Sequence, residues 1–255
     1  MATRTVLITG ATGAIGSALA LAYASPGRAL VLHGRNTARL DEIAQACKAR
    51  GARTETKTLD VRDTAALMAW LDEVARRQPV DLAIVNAGTI SVLRAGDKVE
   101  AREDVERVMD VNVRAAQATV NALLPHMQRR GSGQIALISS LLGWFGLPVA
   151  PAYSASKAAL KNYGESLRGP LAAQGIRMNV VLPGFVKSDM SDELHVPKLF
   201  MVSAEDAARR IKNGLDKNHA RISFPFPLSL GSRLLATLPA SVQRPVLALM
   251  GFDRR

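Results

Sequence analysis

Short apolar runs alternate with longer amphipathic stretches along most of this chain. Val6-Leu7-Ile8 and Leu82-Ala83-Ile84-Val85 contain no polar residue, the pattern of strands buried on both faces. Runs of strand length are predicted at 5–9, 29–33, 53–59, 82–86, 134–139 and 177–182. Helical patterns are predicted between them at 14–23, 37–50, 64–77, 104–130 and 152–174, with another at 204–216. Such alternation predicts βαβ units and an α/β fold: one doubly wound parallel sheet with helices on both faces. The apolar stretch 135–152 holds two serines, two glycines and two prolines, so it is not read as a membrane span.

Composition narrows the picture. A chain of 255 residues with 48% hydrophobic residues suits one well-packed domain. Its single cysteine, Cys47, cannot form an internal disulfide, so a reducing, cytoplasmic setting is expected. The run Met1–Ile8 leads directly into the glycine-rich turn and lacks the apolar core and cleavage site of a signal peptide. The net charge of +11 admits three partners: a phosphorylated cofactor or carrier, an anionic membrane surface, or nucleic acid. With 4% aromatics and no recognisable motif, nucleic acid is not expected. For most of these bases a solvated surface position is sufficient explanation.

The first predicted strand runs into Thr9-Gly10-Ala11-Thr12-Gly13-Ala14-Ile15-Gly16, which opens the first helix. Glycines at that junction allow a tight turn and close backbone approach to a pyrophosphate, which the free N–H groups of the helix start attract. Gly10, Thr12, Gly13, Ile15 and Gly16 are therefore candidate cofactor contacts. The second strand ends in His33-Gly34-Arg35-Asn36, and the next acid is Asp41. No carboxylate is placed to hold a ribose 2′-hydroxyl, whereas Arg35 offers a charged fork for a 2′-phosphate, so NADP(H) is favoured over NAD(H). His33, His126, His195 and His219 show no metal-ligand spacing, and no metal is expected.

Tyr153 and Lys157 lie four residues apart in a predicted helix, so both side chains share one face. An ammonium beside a phenol lowers its pKa from about 10, making it a usable proton donor or acceptor. Taken together, these features resemble the short-chain dehydrogenase/reductase family over residues 4–190, with its Rossmann-type fold. Ser140 lies 13 residues before Tyr153, the family's usual separation, with Ser139 as its neighbouring rival. Asn112 falls where the family places its fourth catalytic residue. Asp60-Val61 resembles the pair that contacts adenine. Asn86-Ala87-Gly88 resembles the turn lying along the cofactor. Pro183-Gly184-Phe185-Val186-Lys187-Ser188 resembles the loop around the nicotinamide amide.

The resemblance implies roles: Tyr153 as proton donor, Ser140 on the carbonyl oxygen, Lys157 on the ribose hydroxyls, Asn112 anchoring a water. It implies hydride exchange with a small-molecule carbonyl or alcohol, in a homodimer or homotetramer. Three departures stand out: Ala14 at the family's middle glycine, Val85 before Asn86, and Ser188 in place of threonine. None removes a catalytic group.

The loop from Leu141 to Val149 borders the substrate in the family, which nominates Leu142 and Trp144 as apolar pocket walls. The composition changes after residue 185 and most distinctly in the final stretch; 1–220 is read as the catalytic domain and 221–255 as its basic, apolar extension. The prolines of Arg221-Ile222-Ser223-Phe224-Pro225-Phe226-Pro227 are expected to break regular structure. Two short apolar helical segments follow, 228–238 and 242–250, and Leu230, Leu234 and Leu238 share a face. Arg221, Arg233, Arg244, Arg254 and Arg255 against Asp253 give this tail 5 − 1 = +4. It is expected either to lie on an anionic membrane surface or to dock over the cleft or a sister subunit. Similar tails occur in family members that reduce lipid ketones such as 3-ketosphinganine, which favours a lipophilic substrate. Two other functions remain open. One is reduction of 3-oxoacyl chains on a carrier protein, with Arg129, Arg130 and Arg168 meeting the acidic carrier. The other is a non-catalytic NADPH-binding sensor or scaffold, which would not need Asn112, Ser140, Tyr153 and Lys157 together.

Overall fold

The structure, a computed structural model, describes residues 4–93, 96–194 and 196–252. Met1, Ala2, Thr3, His195, Asp253, Arg254 and Arg255, named above, lie outside the described residues. The chain opens with β1 (Arg4–Thr9), α1 (Ala14–Tyr23), β2 (Arg28–Gly34), α2 (Thr37–Ala49) and β3 (Arg53–Thr58). Next come α3 (Thr64–Arg77), β4 (Val80–Val85), α4 (Arg102–Met109), a π-helical turn (Asp110–Arg114) and α5 (Ala115–Arg130). β5 (Gly133–Ile138), a 3-10 turn (Leu141–Gly143), α6 (Pro151–Ala172), β6 (Ile176–Pro183) and a one-turn α7 (Asp189–Asp192) follow. The chain finishes with α8 (Ala204–Asp216), β7 (Arg221–Phe224), α9 (Leu228–Thr237) and α10 (Ala240–Leu249).

Among the described residues the strands form one seven-stranded sheet in the order β3-β2-β1-β4-β5-β6-β7. Every adjacent pair is parallel, with Leu7 opposite Val31 on one side and Ala83 on the other. The apolar runs explain the two-sided burial. Val6 and Ile8 pack on one face with α1, α2 and α8 residues such as Leu19, Leu40 and Ile211. Leu7 and Ala83 turn to the other face, against Leu67 and Leu71 of α3, Leu123 of α5 and Leu160 of α6. Tyr23 faces the first core, as expected for that helix. The order reverses between β1 and β4, so the carboxyl ends of these two strands open a crevice where a ligand can sit.

Two elements differ from the sequence reading. The helix expected over 104–130 starts at Arg102 and contains the π turn, which inserts an extra residue into the helical register. The stretch expected to lose regular structure at Arg221 instead forms β7, pairing Val180–Pro183 with Arg221–Phe224. A four-residue edge strand has too little periodicity to read, and its ladder comes from β6; Pro225 then ends it. A third cluster joins the tail to the body: Leu235, Leu247 and Phe252 pack with Leu147, Val149 and Tyr153.

Leu7→Ala, at a fully buried sheet position, should cost about 2–5 kcal/mol. Leu249→Ala, at an exposed one, should change stability by less than about 0.5 kcal/mol. Urea unfolding midpoints of the two variants check the assignment of the core.

Candidate active site

The glycine turn is held from three sides. Asn86 Nδ2 donates to Thr9 O at 3.2 Å and Gly10 O at 2.9 Å. Asn86 N and Ala87 N donate to Thr9 Oγ1 at 3.0 and 3.1 Å. Ala11 N donates to His33 O at 2.7 Å, and Gly10 N to His33 Nδ1 at 3.4 Å. With Nδ1 accepting, Nε2 carries the hydrogen and donates to Leu59 O at 3.0 Å. Burial pushes the His33 pKa down, keeping this ring neutral. His33 was not singled out for this role from sequence; only its place at a strand end points to it.

Glycine is required here by space. Gly10 has φ +67°, and a Cβ at Gly16 would lie 2.2 Å from Gly10 O. α2 and α3 are capped by Asn36 and Asp63, but Gly13 at the start of α1 offers no side-chain cap. The first N–H groups of α1 therefore face the cleft without a side-chain partner, a cradle suited to a phosphate group. Thr12, Ile15, Arg35, Asp60 and Val61 line the same cleft. The Asp60 carboxylate is held by Arg62 at 2.6 Å, which with backbone help lowers its pKa. Arg39 and Arg62 also line this arm, two bases that sequence reading did not select.

At the other end, β5 delivers Ser140 and α6 delivers Tyr153 and Lys157 into the cleft. Leu142 N donates to Ser140 Oγ at 3.1 Å, fixing the serine at the head of the 3-10 turn. Lys157 Nζ donates to Ile138 O at 2.9 Å and lies 5.6 Å from the centre of the Tyr153 ring. The neighbouring Ser139 has another contact: its Oγ donates to Lys157 O at 2.6 Å, joining β5 to α6. A Cβ at Gly143 would come within 2.9 Å of Lys157 O, so only glycine lets the serine loop pack this tightly on the helix.

Asn112, fully buried in the π turn, accepts from Thr89 N at 2.8 Å and donates to Thr89 O and Ser156 Oγ, both at 2.9 Å. Ser156 Oγ in turn donates to Tyr153 O at 2.7 Å. Asn112 thus connects α4 and α5 to the first turn of α6. Both amide hydrogens are used in this way, and one lone pair of Oδ1 remains for a water. Glu100 is an addition from the structure. Its carboxylate accepts from Ala152 N at 2.7 Å and from Ser91 Oγ. It caps the start of α6, one residue before Tyr153, where the helix dipole favours a negative charge.

Burial raises the Tyr153 pKa to about 12, with the Ser140 hydrogen bond acting in the opposite direction. Burial also lowers Lys157 to about 8. The expected depression of the phenol by the ammonium is not found: burial dominates, and Nζ is turned to Ile138 O.

The short chain dehydrogenase family model matches residues 4–198. The chain belongs to the short-chain dehydrogenase family. It is 35% identical over 240 residues to an uncharacterized oxidoreductase of Myxococcus xanthus, covering 94% of each chain. A Mycobacterium tuberculosis uncharacterized oxidoreductase is 32% identical over 245 residues, covering 94% of this chain and 95% of that one. A short-chain dehydrogenase from Sphingobium yanoikuyae, solved with NADPH, superposes with TM-score 0.80 at 26% identity, covering 99% of this chain and 97% of that one. The fold and chemistry are those of an NAD(P)-dependent oxidoreductase. Among the described residues no group of three or more His, Cys, Asp or Glu side chains is placed to hold a metal.

In this short-chain dehydrogenase, Gly88, Pro183, Gly184, Val186 and Ser188 line the middle of the cleft. Trp144 does not join them, which corrects its nomination as a pocket wall. Trp144 packs with Leu141, Val180, Leu182 and Leu228 on the β6 side. Leu141 also reaches the cleft, where Leu142 and Phe145 join it. The Trp144 ring lies against cations instead, 4.5 Å from Lys161 and 5.2 Å from Arg221. The arginines nominated for an acidic carrier have internal partners: Arg130 donates to Val80 O, Arg168 to Asn218 O, and Arg129 contacts His126.

Lys157 titrates at about 8 in the folded chain against 10.5 when unperturbed. Between these values the unfolded chain binds the extra proton, so stability rises with pH. Relative to Lys157→Met, the native chain should gain melting temperature from about pH 8 to about pH 10. Tyr153 shifts the opposite way, from 10 to about 12, and acts only above that window. A melting difference that stays flat with pH would contradict a buried ammonium.

Proposed function

We propose that the protein reduces the carbonyl of a lipophilic ketone with NADPH, and oxidises the corresponding alcohol in reverse. One observation carries the reading. Tyr153 and Ser140 line a single cleft of about 1260 Å³ whose wall also holds the glycine turn, Arg35, Arg39 and Arg62, and a set of apolar side chains. The start of α1, Arg35, the Asp60-Val61 pair and the 86–88 and 183–188 segments would hold the dinucleotide, and Lys157 its ribose hydroxyls. When bound, the nicotinamide supplies the hydride.

The chain's own residues handle the oxygen. Tyr153 is protonated at neutral pH because burial raises its pKa, so its hydroxyl is set to give a proton to the carbonyl oxygen as negative charge develops there. Ser140 Oγ donates a second hydrogen bond to that oxygen. Lys157, which burial brings down to about 8, would hold the ribose hydroxyls and is placed to resupply the proton that Tyr153 gives up, and Asn112 would hold the water that links it to solvent. Leu142, Phe145, Leu194, Leu235, Leu247 and Met250 line the apolar arm, excluding water and supporting an aliphatic substrate.

NADPH is favoured because Arg35 faces the cleft. The solved relatives include one with NADPH and one, from Beutenbergia cavernae, with bound NADP. Action in the cytoplasm as a homodimer or homotetramer is proposed from the buried free thiol of Cys47 and the family resemblance. The carrier-protein reading loses support because its three arginines have internal partners.

Tyr153→Phe should lower turnover of aliphatic ketones by at least about 10²-fold while leaving NADPH affinity, read by nucleotide fluorescence, within about twofold. A native protein that binds NADPH tightly and turns over no ketone would instead be a sensor. Arg35→Ala should raise the KM for NADPH by about 10–100-fold and leave the KM for NADH nearly unchanged, as loss of a charged hydrogen-bond pair implies. Steady-state kinetics with both nucleotides decides this, and an equal effect on the two removes Arg35 from 2′-phosphate recognition.

A further inference from the structure

The α9–α10 hairpin buries little of itself. Its buried residues are Ser229, Ser232 and Leu235 on α9 and Leu247 on α10. On the outer side, Leu230 is 44% exposed, Leu234 58%, Val242 43% and Leu249 89%. Leu230, Leu234 and Leu238 recur four apart along α9 and its cap, and Val242 and Leu249 seven apart on α10, so each short helix carries an exposed apolar stripe, and such surface marks a contact site. A Cβ at Gly251 would lie 3.1 Å from Pro197 Cγ, so the end of α10 meets the 196–201 segment, which itself exposes Leu199, Phe200 and Met201. Leu234 and Leu238 are exposed outside and also line the cleft, so apolar surface runs unbroken from solvent towards Tyr153.

Charge identifies the partner. Residues 217–252 contain no Asp or Glu, but include Lys217, Arg221, Arg233 and Arg244. Arg221 is paired with Glu165, and Arg233 rests 5.8 Å from the Trp144 ring. On the facing lip of the cleft, Asp192 is paired with Lys198 at 3.1 Å. A second copy docked through this face would set two basic, acid-free surfaces against each other, because a two-fold interface repeats the same patch. An anionic surface meets no such repulsion. Ten-residue helices are about 15 Å long, and among the described residues no helix is long and apolar enough to cross a membrane. The hairpin can lie on a bilayer with its leucines among the acyl chains and its arginines at the headgroups.

We propose that the outer face of α9 and α10 docks on an anionic lipid bilayer, from which a long-chain ketone enters the cleft past Leu234 and Leu238. This rests on the lipophilic-substrate reading above. The test uses the full chain and vesicles of phosphatidylcholine with about 30% phosphatidylglycerol. Co-sedimentation should exceed that with pure phosphatidylcholine at least about tenfold and collapse in about 0.5 M NaCl. The triple variant Leu230→Ser, Val242→Ser, Leu249→Ser avoids the cleft; it should lose about tenfold in vesicle binding and reduce a short water-soluble ketone at the native rate. Native protein that stays in the supernatant, or a triple variant that binds vesicles as well as the native chain, overturns the proposal. So does a native oligomer that the triple variant converts to monomer, which assigns the face to a second copy. Vesicle binding needs no turnover, so failure of ketone reduction would count against the enzymatic reading alone.

Discussion

All strands of the sheet run the same way, and their order reverses once, between β1 and β4. Parallel strands oblige the chain to leave each carboxyl end and cross back over a face, so every loop at that edge starts from the same rim. The turn after β1, the Asn86 turn after β4, Ser140 after β5 and the Pro183 loop after β6 therefore meet around one crevice. The hydrogen bonds from Asn86 to Thr9 and Gly10 hold the two sides of the reversal together. Gly10 and Tyr153, the proposed cofactor contact and proton donor, share one cleft for this reason, although 143 positions separate them.

Burying Tyr153 and Lys157 has a physical consequence. A phenol and an amine taken out of water both shift towards their neutral forms. Tyr153 is thereby kept protonated, and Lys157 is brought down to about 8. The site tolerates this because each group around it is partnered: Lys157 by Ile138 O, Ser139 by Lys157 O, Asn112 by Thr89 and Ser156. Glu100 adds a carboxylate at the start of the same helix, drawing the Ser91 segment onto it. The tail then closes the apolar side, with Leu235 and Leu247 packed in the cluster that contains Tyr153. Substrate access and the fate of the C-terminal helices are thus one question.

Much of this was legible because it is local or periodic. α1, α3 and α8 fall at the expected 14–23, 64–77 and 204–216, since their apolar positions recur at helical spacing. The sheet and its two-sided burial follow from apolar runs such as Val6-Leu7-Ile8. The π turn did not show, because one extra residue in a helix changes register without changing composition. β7 did not show, because an edge strand of four residues depends on its neighbour. Trp144 was misplaced because apolar character says that a ring packs, not on which side; its contacts with Leu141, Val180 and Leu182 put it on the β6 side.

The sequence by itself determined the α/β class, the glycine turn, and the Tyr153–Lys157 face, because backbone propensity, glycine's freedom and helical periodicity all act within a few residues. Only the tertiary structure decided which hydroxyl faces the cleft and which bonds the backbone, as between Ser140 and Ser139. It alone brought Glu100 to α6, set the titration directions of the buried pair, and folded the tail over the apolar arm. Those outcomes depend on desolvation and on contacts between residues far apart in the chain, and neither is written in any short stretch of it.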